Sequence, residues 1–329
     1  MSELYPLRFG PIFRRYLWGG RKLGTMLNKP IGDGADYAES WELVDRDADQ
    51  SRIAYGPLAN TTVGELVRTH GPALLGRHHP QPRFPLLFKL LDCEKTLSVQ
   101  VHPNDEQAAK LDPPDFGKTE AWIVLAAEPG SLIYAGLKRG FDRPALEREV
   151  ARGTCELCLH RFEPKPSDCV FLPAGAIHAL GAGLVIAEIQ QSSDATFRLF
   201  DWNRVGADGR SRPLHVEQSL ETIDYDLGPI HPQSPRGMAN PNIQRLVDCD
   251  KFILDRWQFT DSQLLNNSWQ IGGDDRFHLL AVVSGSVNVQ GDLYGVPLES
   301  GQTILLPAAL DACAVIPSDG TALLDIYLP

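Results

Sequence analysis

Residues 167–178, SDCVFLPAGAIH, hold the pattern that is most informative about the fold. They comprise a turn, a short apolar strand, and a second turn of proline and small residues that ends on His178. Residues 301–309, GQTILLPAA, repeat the turn, the strand and the proline, but Ala312 stands where the first segment has its histidine. We interpret the two segments as a weak duplication of one all-β unit, because each places a short apolar strand between turns.

The rest of the chain also has a sequence pattern that favours β-strands. Helical patterns are confined to three segments, residues 62–67, 142–150 and 212–223. In the second segment Asp142 or Arg143 suits the cap, Pro144 the first turn and Gly153 the end. Short apolar runs between glycine and proline predict further strands at residues 96–101, 119–125, 131–135, 184–189, 196–202 and 277–287. We therefore predict a mainly β chain with a few short helices.

Chain length and one polar stretch predict two domains. A chain of 329 residues exceeds the usual size of one domain, about 150 residues. Residues 228–241, GPIHPQSPRGMANP, have the composition of a linker. We predict a first domain over residues 1–228, a linker over 229–241 and a second domain over 242–329. His278 is the only histidine of the second domain, and an unpartnered histidine is expected to be structural, so that domain is predicted to hold no metal.

Charge and apolar patterning exclude several classes of partner. The 31 basic and 42 acidic residues give a net charge of −11, which argues against nucleic acid or an anionic membrane as a partner. The chain has no apolar run long enough to span a membrane and no signal peptide. We predict a cytoplasmic protein with reduced cysteines. Cys155, Cys158, His160 and Cys169 could bind a structural zinc, but without a second Cys-x-x-Cys pair we favour free thiols.

Polar side chains share one face on several predicted strands. Residues 97–103, LSVQVHP, alternate apolar and polar side chains, so Ser98, Gln100 and His102 point the same way. A polar face on a buried strand needs partners or a wet cavity. In the same way residues 118–122 place a lysine, a glutamate and a tryptophan on one face, and Arg198 comes from a strand whose other face is apolar.

Four of these side chains form a nitrogen and oxygen ligand set, namely Gln100, His102, Glu120 and His178. The set suits Zn²⁺ or another divalent first-row metal with a water molecule in the open position. Spacing alone leaves the alternatives open: each histidine could be a hydrogen-bonded structural residue, and Glu120 could belong to an ion pair. We interpret six other histidines as structural or surface residues, namely His70, His78, His79, His160, His215 and His231.

Several motifs that follow one another along the chain resemble a known family. They are residues 84–91 (FPLLFKLL), 97–103 (LSVQVHP), 117–122 (GKTEAW) and 190–198 (QQSSDATFR). In this order they resemble the type I phosphomannose isomerases in their short bacterial form, and residues 18–20 and 39–42 resemble the N-terminal signatures of that family. Residues 173–178 resemble the second motif of the cupins, small metal-holding β-barrels. The resemblance covers residues 9–223 and implies two cupin-type jelly-roll barrels, the second one degenerate.

The resemblance also assigns site residues. It implies Gln100, His102, Glu120 and His178 as ligands of one metal ion per chain, with Zn²⁺ as the first choice. It implies functional roles for Lys118 and Arg198, and it places Trp18, Lys89, Ser98 and Glu188 in the pocket. Two positions depart from the family pattern, because Ser167 and Ala38 stand where glycine is usual. Both departures concern backbone turns and leave the ligands unchanged.

The implied reaction interconverts mannose 6-phosphate and fructose 6-phosphate through an enediol(ate). A divalent cation polarises the two oxygens, and Arg198 stabilises the charge that develops on them. Lys118 is the first candidate for the general base, because it shares a face with Glu120, and Glu188 is the second. Lys118 could instead form a salt bridge or contact the phosphate.

Two alternative functions stay open. One is an enzyme for another hexose phosphate, and the other is a non-catalytic sugar-phosphate sensor. In each case the partner is a small sugar phosphate, and the sequence gives no oligomeric state. For the phosphate, Lys89 and Arg198 are available, whereas Lys138 and Arg139 are interpreted as parts of a solvated turn.

Overall fold

The structure of the protein is a computed structural model that describes residues 4–205, 209–260 and 268–329. Strands dominate it and its helices are short, so the prediction of a mainly β chain is confirmed. The strands are β1 Ile12–Gly20, β2 Tyr37–Leu43, β3 Asp45–Arg46, β4 Asp49–Gln50, β5 Leu86–Cys93, β6 Val99–Val101, β7 Glu120–Ala127, β8 Ile133–Leu137, β9 Leu159–Phe162, β10 Cys169–Leu172, β11 His178–Leu180, β12 Leu184–Gln191, β13 Phe197–Phe200, β14 Arg236–Gly237, β15 Ile243–Asp248, β16 Ile253–Phe259, β17 Trp269–Ile271, β18 His278–Ser284, β19 Ser286–Val289, β20 Leu298–Glu299, β21 Thr303–Leu306, β22 Cys313–Pro317 and β23 Thr321–Tyr327. The helices are α1 Lys22–Thr25, α2 Val63–Leu75, α3 Asp105–Ala108, α4 Arg143–Arg152 and α5 Val216–Thr222, with 3₁₀ segments at Gly76–His78 and Cys155–Cys158.

The first half of the chain forms two facing antiparallel sheets. One sheet has the order β1-β2-β5-β12-β7-β10, and the other has the order β13-β6-β11-β8-β9. Side chains from both sheets meet in a shared core, in which Trp122 and Ile186 of the first sheet join Ile133 and Leu180 of the second. This arrangement brings the inward faces of β6, β7, β11 and β12 together at one end of the sandwich.

The second half repeats this topology. Its sheets have the orders β14-β15-β16-β23-β18-β21 and β17-β22-β19-β20. The run β15-β16-β23-β18-β21 therefore corresponds to β2-β5-β12-β7-β10, and β17-β22-β19-β20 corresponds to β6-β11-β8-β9. The duplication predicted from residues 167–175 and 301–309 is confirmed, because β10 and β21 take the same edge position in the two sheets.

One apolar core joins the two halves. It contains Phe88 and Ile123 from the first six-stranded sheet and Leu279 and Ile326 from the second. Burial of this much apolar surface is the main favourable contribution to folding, at roughly 25 cal/mol per Å². Residues 229–241, the predicted linker, are in contact with the first half, because Gln233 donates a backbone hydrogen bond to Cys169. The predicted domain boundaries stay a prediction.

The helices begin and end where local chemistry directs them. Thr62 and Glu65 form a reciprocal capping box at the start of α2, which runs further than the predicted 62–67. Asp142 caps α4 and Gly153 ends it in a left-handed conformation, as predicted. The prediction of a helix from residue 212 was wrong, because α5 begins only at Val216.

Side-chain and backbone contacts of residues 212 and 213 explain why α5 begins later than the sequence pattern predicts. The side chain of Arg212 is held by Asp201, and the carbonyl of Pro213 accepts a hydrogen bond from Arg198. These contacts keep the segment extended beside the first sandwich. Leu214, which the helical pattern placed on an apolar face, is exposed instead.

Two predicted strands are shorter than their apolar patterns. The strand predicted at 96–101 begins only at Val99, and the one predicted at 196–202 covers Phe197–Phe200. Trp202 has a positive φ and donates its indole N–H to the carbonyl of Leu97. The segment before β6 and the segment after β13 are therefore joined by a side-chain hydrogen bond and not by the backbone hydrogen bonds of the sheet.

Ser167 stands in a strained turn. Its φ is 76°, in the left-handed region, and Gly301 takes the corresponding position in the second half with a φ of 83°. The backbone there suits glycine, because a Cβ in the left-handed region costs about 1–2 kcal/mol. Ser167, which stands where the family usually has glycine, therefore adopts the same left-handed backbone conformation at a cost in strain.

A Ser167→Gly variant is expected to be more stable than the wild type. Relief of the strained turn, less the greater freedom of glycine in the unfolded chain, gives a net gain of about 1 kcal/mol in the free energy of unfolding. Urea titration measures it. Ser167→Ala is the matched control, because it retains the Cβ, and an equal gain in that variant would show that strain is not the cause.

His278 is not the unpartnered histidine that the sequence predicted. Its Nδ1 lies 2.7 Å from an oxygen of Asp325, and its Nε2 lies 3.2 Å from an oxygen of Asp274. Burial favours the neutral ring, but the two carboxylates outweigh burial and raise the pKa of His278 to about 10. The prediction missed these partners because Asp325 lies 47 positions away and reaches His278 only through the pairing of β18 with β23.

The two halves differ in the residue at one corresponding position: the first half has Glu120, and the second half has the protonated ring of His278. His278 pairs with Leu306 as Glu120 pairs with Leu172, so it corresponds to the glutamate of the predicted ligand set. Both of its ring nitrogens are engaged by carboxylates, which leaves no lone pair for a metal.

Two further findings concern the described part of the chain. None of its helices is long and apolar enough to cross a membrane. All six cysteines are unpaired, including the buried Cys155 and Cys158. His160, which the zinc alternative grouped with these two cysteines, packs instead against the ring of His231 at 4.5 Å between centroids.

Candidate active site and metal centre

A cavity of about 310 Å³ opens at one end of the first sandwich. It is lined by seven of the predicted site residues, Trp18, Lys89, Ser98, Gln100, Lys118, Glu188 and Arg198. Residues that the sequence reasoning did not single out as site residues also line it, among them Tyr16, Glu39, Trp41, Asp194, Thr196 and Arg212. Glu39 and Trp41 could have been found, because they alternate on one strand within the quoted 39–42 motif.

The predicted metal ligands come from three strands, β6 and β11 of one sheet and β7 of the facing sheet, and they meet beside this cavity. Gln100 lies on β6, His102 directly follows that strand, Glu120 opens β7 and His178 opens β11. His178 pairs directly with Gln100 across the sheet. Ligand atoms of His102, Glu120 and His178 all lie within 4.8 Å of one another. Tertiary structure thus brings together residues that are up to 76 positions apart in the chain (102 to 178).

Hydrogen bonds fix both imidazole rings in the orientation that a metal requires. Nδ1 of His102 donates to the carbonyl of Ala195 at 3.0 Å, and Nδ1 of His178 donates to the carbonyl of Ala176 at 2.8 Å. Each Nε2 is therefore the unprotonated nitrogen of its ring and carries the lone pair that a metal would take. Burial lowers the pKa of His102 well below 6.5 and that of His178 to about 4, so both rings are neutral at pH 7.

Gln100 completes the donor set. Its side-chain amide lies 3.3 Å from Nε2 of His178. The amide carries a nitrogen and an oxygen at nearly equivalent positions, and the oxygen is the atom that coordinates a metal. Two imidazoles, one carboxylate and one amide oxygen are a donor set that suits a divalent first-row cation.

The buried carboxylate of Glu120 suits a bound cation. Glu120 is 1% exposed, and its Oε1 has no hydrogen-bond partner. Burial raises the pKa of Glu120 to about 7 although Lys118 opposes the shift. The ammonium of Lys118 contacts Oε2 of Glu120 and lies 3.1 Å from Nε2 of His102. The residues therefore fit a bound metal, because a cation between these donors would offset the cost of burying the carboxylate.

A second pair of opposite charges lies next to the ligands. Oε1 of Glu188 is 3.3 Å from Nζ of Lys89 and 3.7 Å from Nζ of Lys118. Burial alone would raise the pKa of Glu188, but the two lysines outweigh it and the pKa lies below 4.5. Burial is likewise outweighed at Lys89, whose pKa is raised above 10.5 by Glu188 and Glu39. At neutral pH Glu188 is a carboxylate and Lys89 an ammonium.

Two arginines also line the cavity. Arg198, on β13, donates to Oγ of Ser98 at 3.3 Å and to the carbonyl of Pro213 at 2.9 Å. Arg212 is held in place by two hydrogen bonds to Asp201, at 2.8 and 2.6 Å. Arginine suits the binding of phosphate and enolate oxygens because its donors form a planar fork. By contrast, Lys138 and Arg139 are exposed and do not line the cavity, in keeping with a solvated turn.

Aromatic side chains form the mouth of the cavity. Trp18 stacks on Tyr16 with 5.6 Å between ring centroids. The ammonium of Lys89 lies 5.3 Å from the ring of Trp41, whose indole N–H donates to Glu39. Aromatic rings beside charged groups are typical of sugar-binding pockets because they pack against C–H faces while hydroxyls take the polar contacts.

Comparisons with known proteins agree with this geometry. Residues 7–120 match the family model described as phosphomannose isomerase type I, catalytic domain. The mannose-6-phosphate isomerase ManA of Bacillus subtilis is 32% identical over 313 residues, covering 93% of this chain and 94% of the relative. The mannose-6-phosphate isomerase of Streptococcus mutans is 29% identical over 304 residues, covering 92% of each chain.

Solved structures give the same result for the fold. The crystal structure of the mannose 6-phosphate isomerase from Bacillus subtilis matches with a TM-score of 0.88 and 26% identity, covering 99% of this chain and 100% of that one. A putative mannosephosphate isomerase from Archaeoglobus fulgidus matches with a TM-score of 0.77 and 22% identity, covering 100% of this chain and 99% of that one, which shows a shared fold. The cupin-type fold predicted from the sequence is confirmed.

Proposed function

The chain belongs to the type I phosphomannose isomerase family and is an aldose–ketose isomerase, and we propose that it interconverts mannose 6-phosphate and fructose 6-phosphate. One observation carries the proposal: three side chains that could bind a metal meet beside a cavity that is lined by a buried lysine–carboxylate pair and an arginine. A pocket that only binds a sugar phosphate does not need a proton acceptor beside a metal centre.

We assign the metal to four side chains, Gln100, His102, Glu120 and His178. A bound divalent ion would act as a Lewis acid that polarises the C1 and C2 oxygens of the sugar. Zn²⁺ is the first choice, and other first-row divalent ions suit the same donors. The two imidazoles are held neutral by burial and oriented by backbone carbonyls, so this chain supplies a preformed site.

Lys118 and Glu188 are our candidates for moving the proton between C2 and C1. Lys118 is the first candidate, because its Nζ contacts the ligand Glu120 and so lies next to the reacting oxygens; as the base it would act in its neutral amine form. Glu188 stands second, because it is a carboxylate at neutral pH and can accept a proton directly. A separation of 3.7 Å between Nζ of Lys118 and Oε1 of Glu188 allows them to exchange a proton with little rearrangement.

The remaining predicted residues bind the substrate in this proposal. Arg198 stabilises the negative charge that develops on the enediolate, since its guanidinium is always charged. Ser98 holds Arg198 in place and can donate to the substrate. Lys89 supplies a permanent positive charge inside the cavity, and Trp18 forms part of its mouth.

Metal removal and restoration test the proposal. The purified protein is stripped with a chelator, resupplied with Zn²⁺, and assayed for the formation of fructose 6-phosphate from mannose 6-phosphate. We expect activity to vanish on stripping and to return with one metal per chain. His178→Ala is the matched control and is expected to regain neither metal nor activity.

Other outcomes of the same experiment would change the assignment. One bound metal per chain without activity on mannose 6-phosphate would favour another hexose phosphate or a sensor. No bound metal at all would contradict the assigned centre.

A further inference from the structure

The loop that delivers Lys118 to the active site begins and ends at metal ligands. It covers residues 103–119, between His102 and Glu120, and contains the short helix α3. The backbone N–H of Lys118 donates to the carbonyl of Pro103 at 3.0 Å, which closes the base of the loop. The position of this backbone therefore decides where Nζ of Lys118 lies relative to both ligands.

Asp105 and Gln191 hold the backbone on both sides of Lys118. Oδ1 of Asp105 accepts from the N–H of Gly117 and from the side-chain amide of Gln191, each at 2.9 Å. Oε1 of Gln191 in turn accepts from the N–H of Thr119 at 3.0 Å. The backbone N–H groups of the two residues that flank Lys118 are therefore both fixed by Asp105. The first donates to its carboxylate directly, and the second donates to the Gln191 side chain that this carboxylate orients.

The second oxygen of Asp105 is bound by the other half of the chain. Lys251 lies between β15 and β16, and its Nζ donates to Oδ2 of Asp105 at 2.7 Å. This contact lies at the edge of a cleft of about 540 Å³ between the halves, so water reaches both side chains. Without Lys251, water would compete for Oδ2, and the carboxylate would be free to turn away from Gly117 and Gln191.

We propose that Lys251 is a positioning residue for the isomerase reaction: from the second half of the chain it holds Asp105, and through Asp105 and Gln191 it holds the backbone that carries Lys118. The inference rests on the proposed function of Lys118. It gives the second half a direct part in catalysis in addition to its apolar packing. The pair itself is partly exposed, with side-chain exposures of 28% for Lys251 and 47% for Asp105, so it contributes little to overall stability. Small displacements of a catalytic group, by contrast, can cost up to about a hundredfold in rate.

The test compares Lys251→Met with two other variants. Lys251→Arg restores a cation and is the conservative rescue. Arg77→Met is the matched control, because Arg77 is exposed and also joins the two halves, by donating to the carbonyl of Asp274, but it lies away from the loop. Each protein is assayed for kcat and KM, and amide hydrogen exchange at Gly117 and Thr119 is measured in the metal-free protein.

We expect Lys251→Met to lower kcat about tenfold, to leave KM unchanged, and to speed exchange at Gly117 and Thr119 by about tenfold. Lys251→Arg is expected to recover most of both effects, and Arg77→Met to show neither. A wild-type kcat in Lys251→Met would overturn the proposal, whether or not exchange changes, and so would an equal loss in Arg77→Met. An inactive wild type would overturn the proposed function, and the exchange rates at the two amides would then decide the positioning role by themselves.

Discussion

A Lys118→Ala variant is expected to keep its metal and to lose turnover, with kcat lowered by about 10²–10⁴-fold. Nζ of Lys118 lies 3.1 Å from Nε2 of His102 and 3.7 Å from Oε1 of Glu188, so its removal takes away the group that connects the metal centre with the second carboxylate. All four assigned ligands remain. Steady-state kinetics together with metal content per chain measure the two effects separately.

The same measurements separate the other roles that Lys118 could have. A phosphate contact would raise KM and leave kcat unchanged, and a purely structural salt bridge to Glu120 would lower metal content. Lys138→Ala is the control, because Lys138 is an exposed lysine outside the cavity. A near-normal kcat in Lys118→Ala with a large loss in Glu188→Gln would transfer the role of base to Glu188.

A His278→Gln variant is expected to lose about 3 kcal/mol of stability at pH 6. Asp325 is 3% exposed and is paired with the His278 ring at 2.7 Å, so the substitution leaves a buried carboxylate without its cation. Breaking a buried pair by removing one partner typically costs 3–5 kcal/mol. Denaturant titration measures the loss, and His231→Gln, at an exposed histidine, is the control and is expected to change stability little.

The stabilisation by His278 is expected to depend on pH in one direction. Its pKa is about 10 in the folded protein against an ordinary value of 6.5, so the folded state holds the proton more tightly. The contribution is complete below pH 6.5 and is lost as the pH rises through 10. The difference in unfolding free energy between wild type and His278→Gln should therefore shrink between pH 7 and pH 10. A difference that stays constant over this range would show that His278 is not a buried imidazolium.

The groups that face His278 do not titrate in the opposite sense over this window. Tyr327, whose ring lies 4.7 Å from that of His278, has a pKa raised by burial and by Asp255. Asp274 has a pKa below 3.8, with its hydrogen bond to His278 as the largest cause. Both groups therefore keep their charge state between pH 7 and pH 9, and the change in that interval belongs to His278.

Much of the site could be predicted because strand alternation is local. Period-two patterns place Ser98 with Gln100, and Lys118 with Glu120, on common faces, and no distant contact changes that relation. The turn that ends on His178 could likewise be predicted, because it is formed by consecutive residues. The mainly β fold follows from the same short-range signals, and so does the duplication, because residues 167–175 and 301–309 share one pattern.

The charge states and the ion-pair partners of the site residues could not be predicted from the sequence, because they depend on contacts between distant parts of the chain. The neutral state of His102 and His178 follows from burial, and the orientation of each ring follows from a backbone carbonyl that the fold supplies. The charge of Glu188 follows from Lys89, which lies opposite it across the β5–β12 ladder. The partners of His278 and the tie from Lys251 to Asp105 are of the same kind.

The strand faces could be inferred from the sequence, because they depend on neighbours two positions apart, and the order of the motifs supplied the resemblance that implies the four metal ligands. The charges of these residues and the contacts between them required the folded structure, since burial and ion pairing depend on groups brought together from across the chain. The folded structure also decided that the second half of the chain fills its corresponding position with a buried imidazolium, His278 between Asp274 and Asp325, and reaches back to the catalytic loop through Lys251.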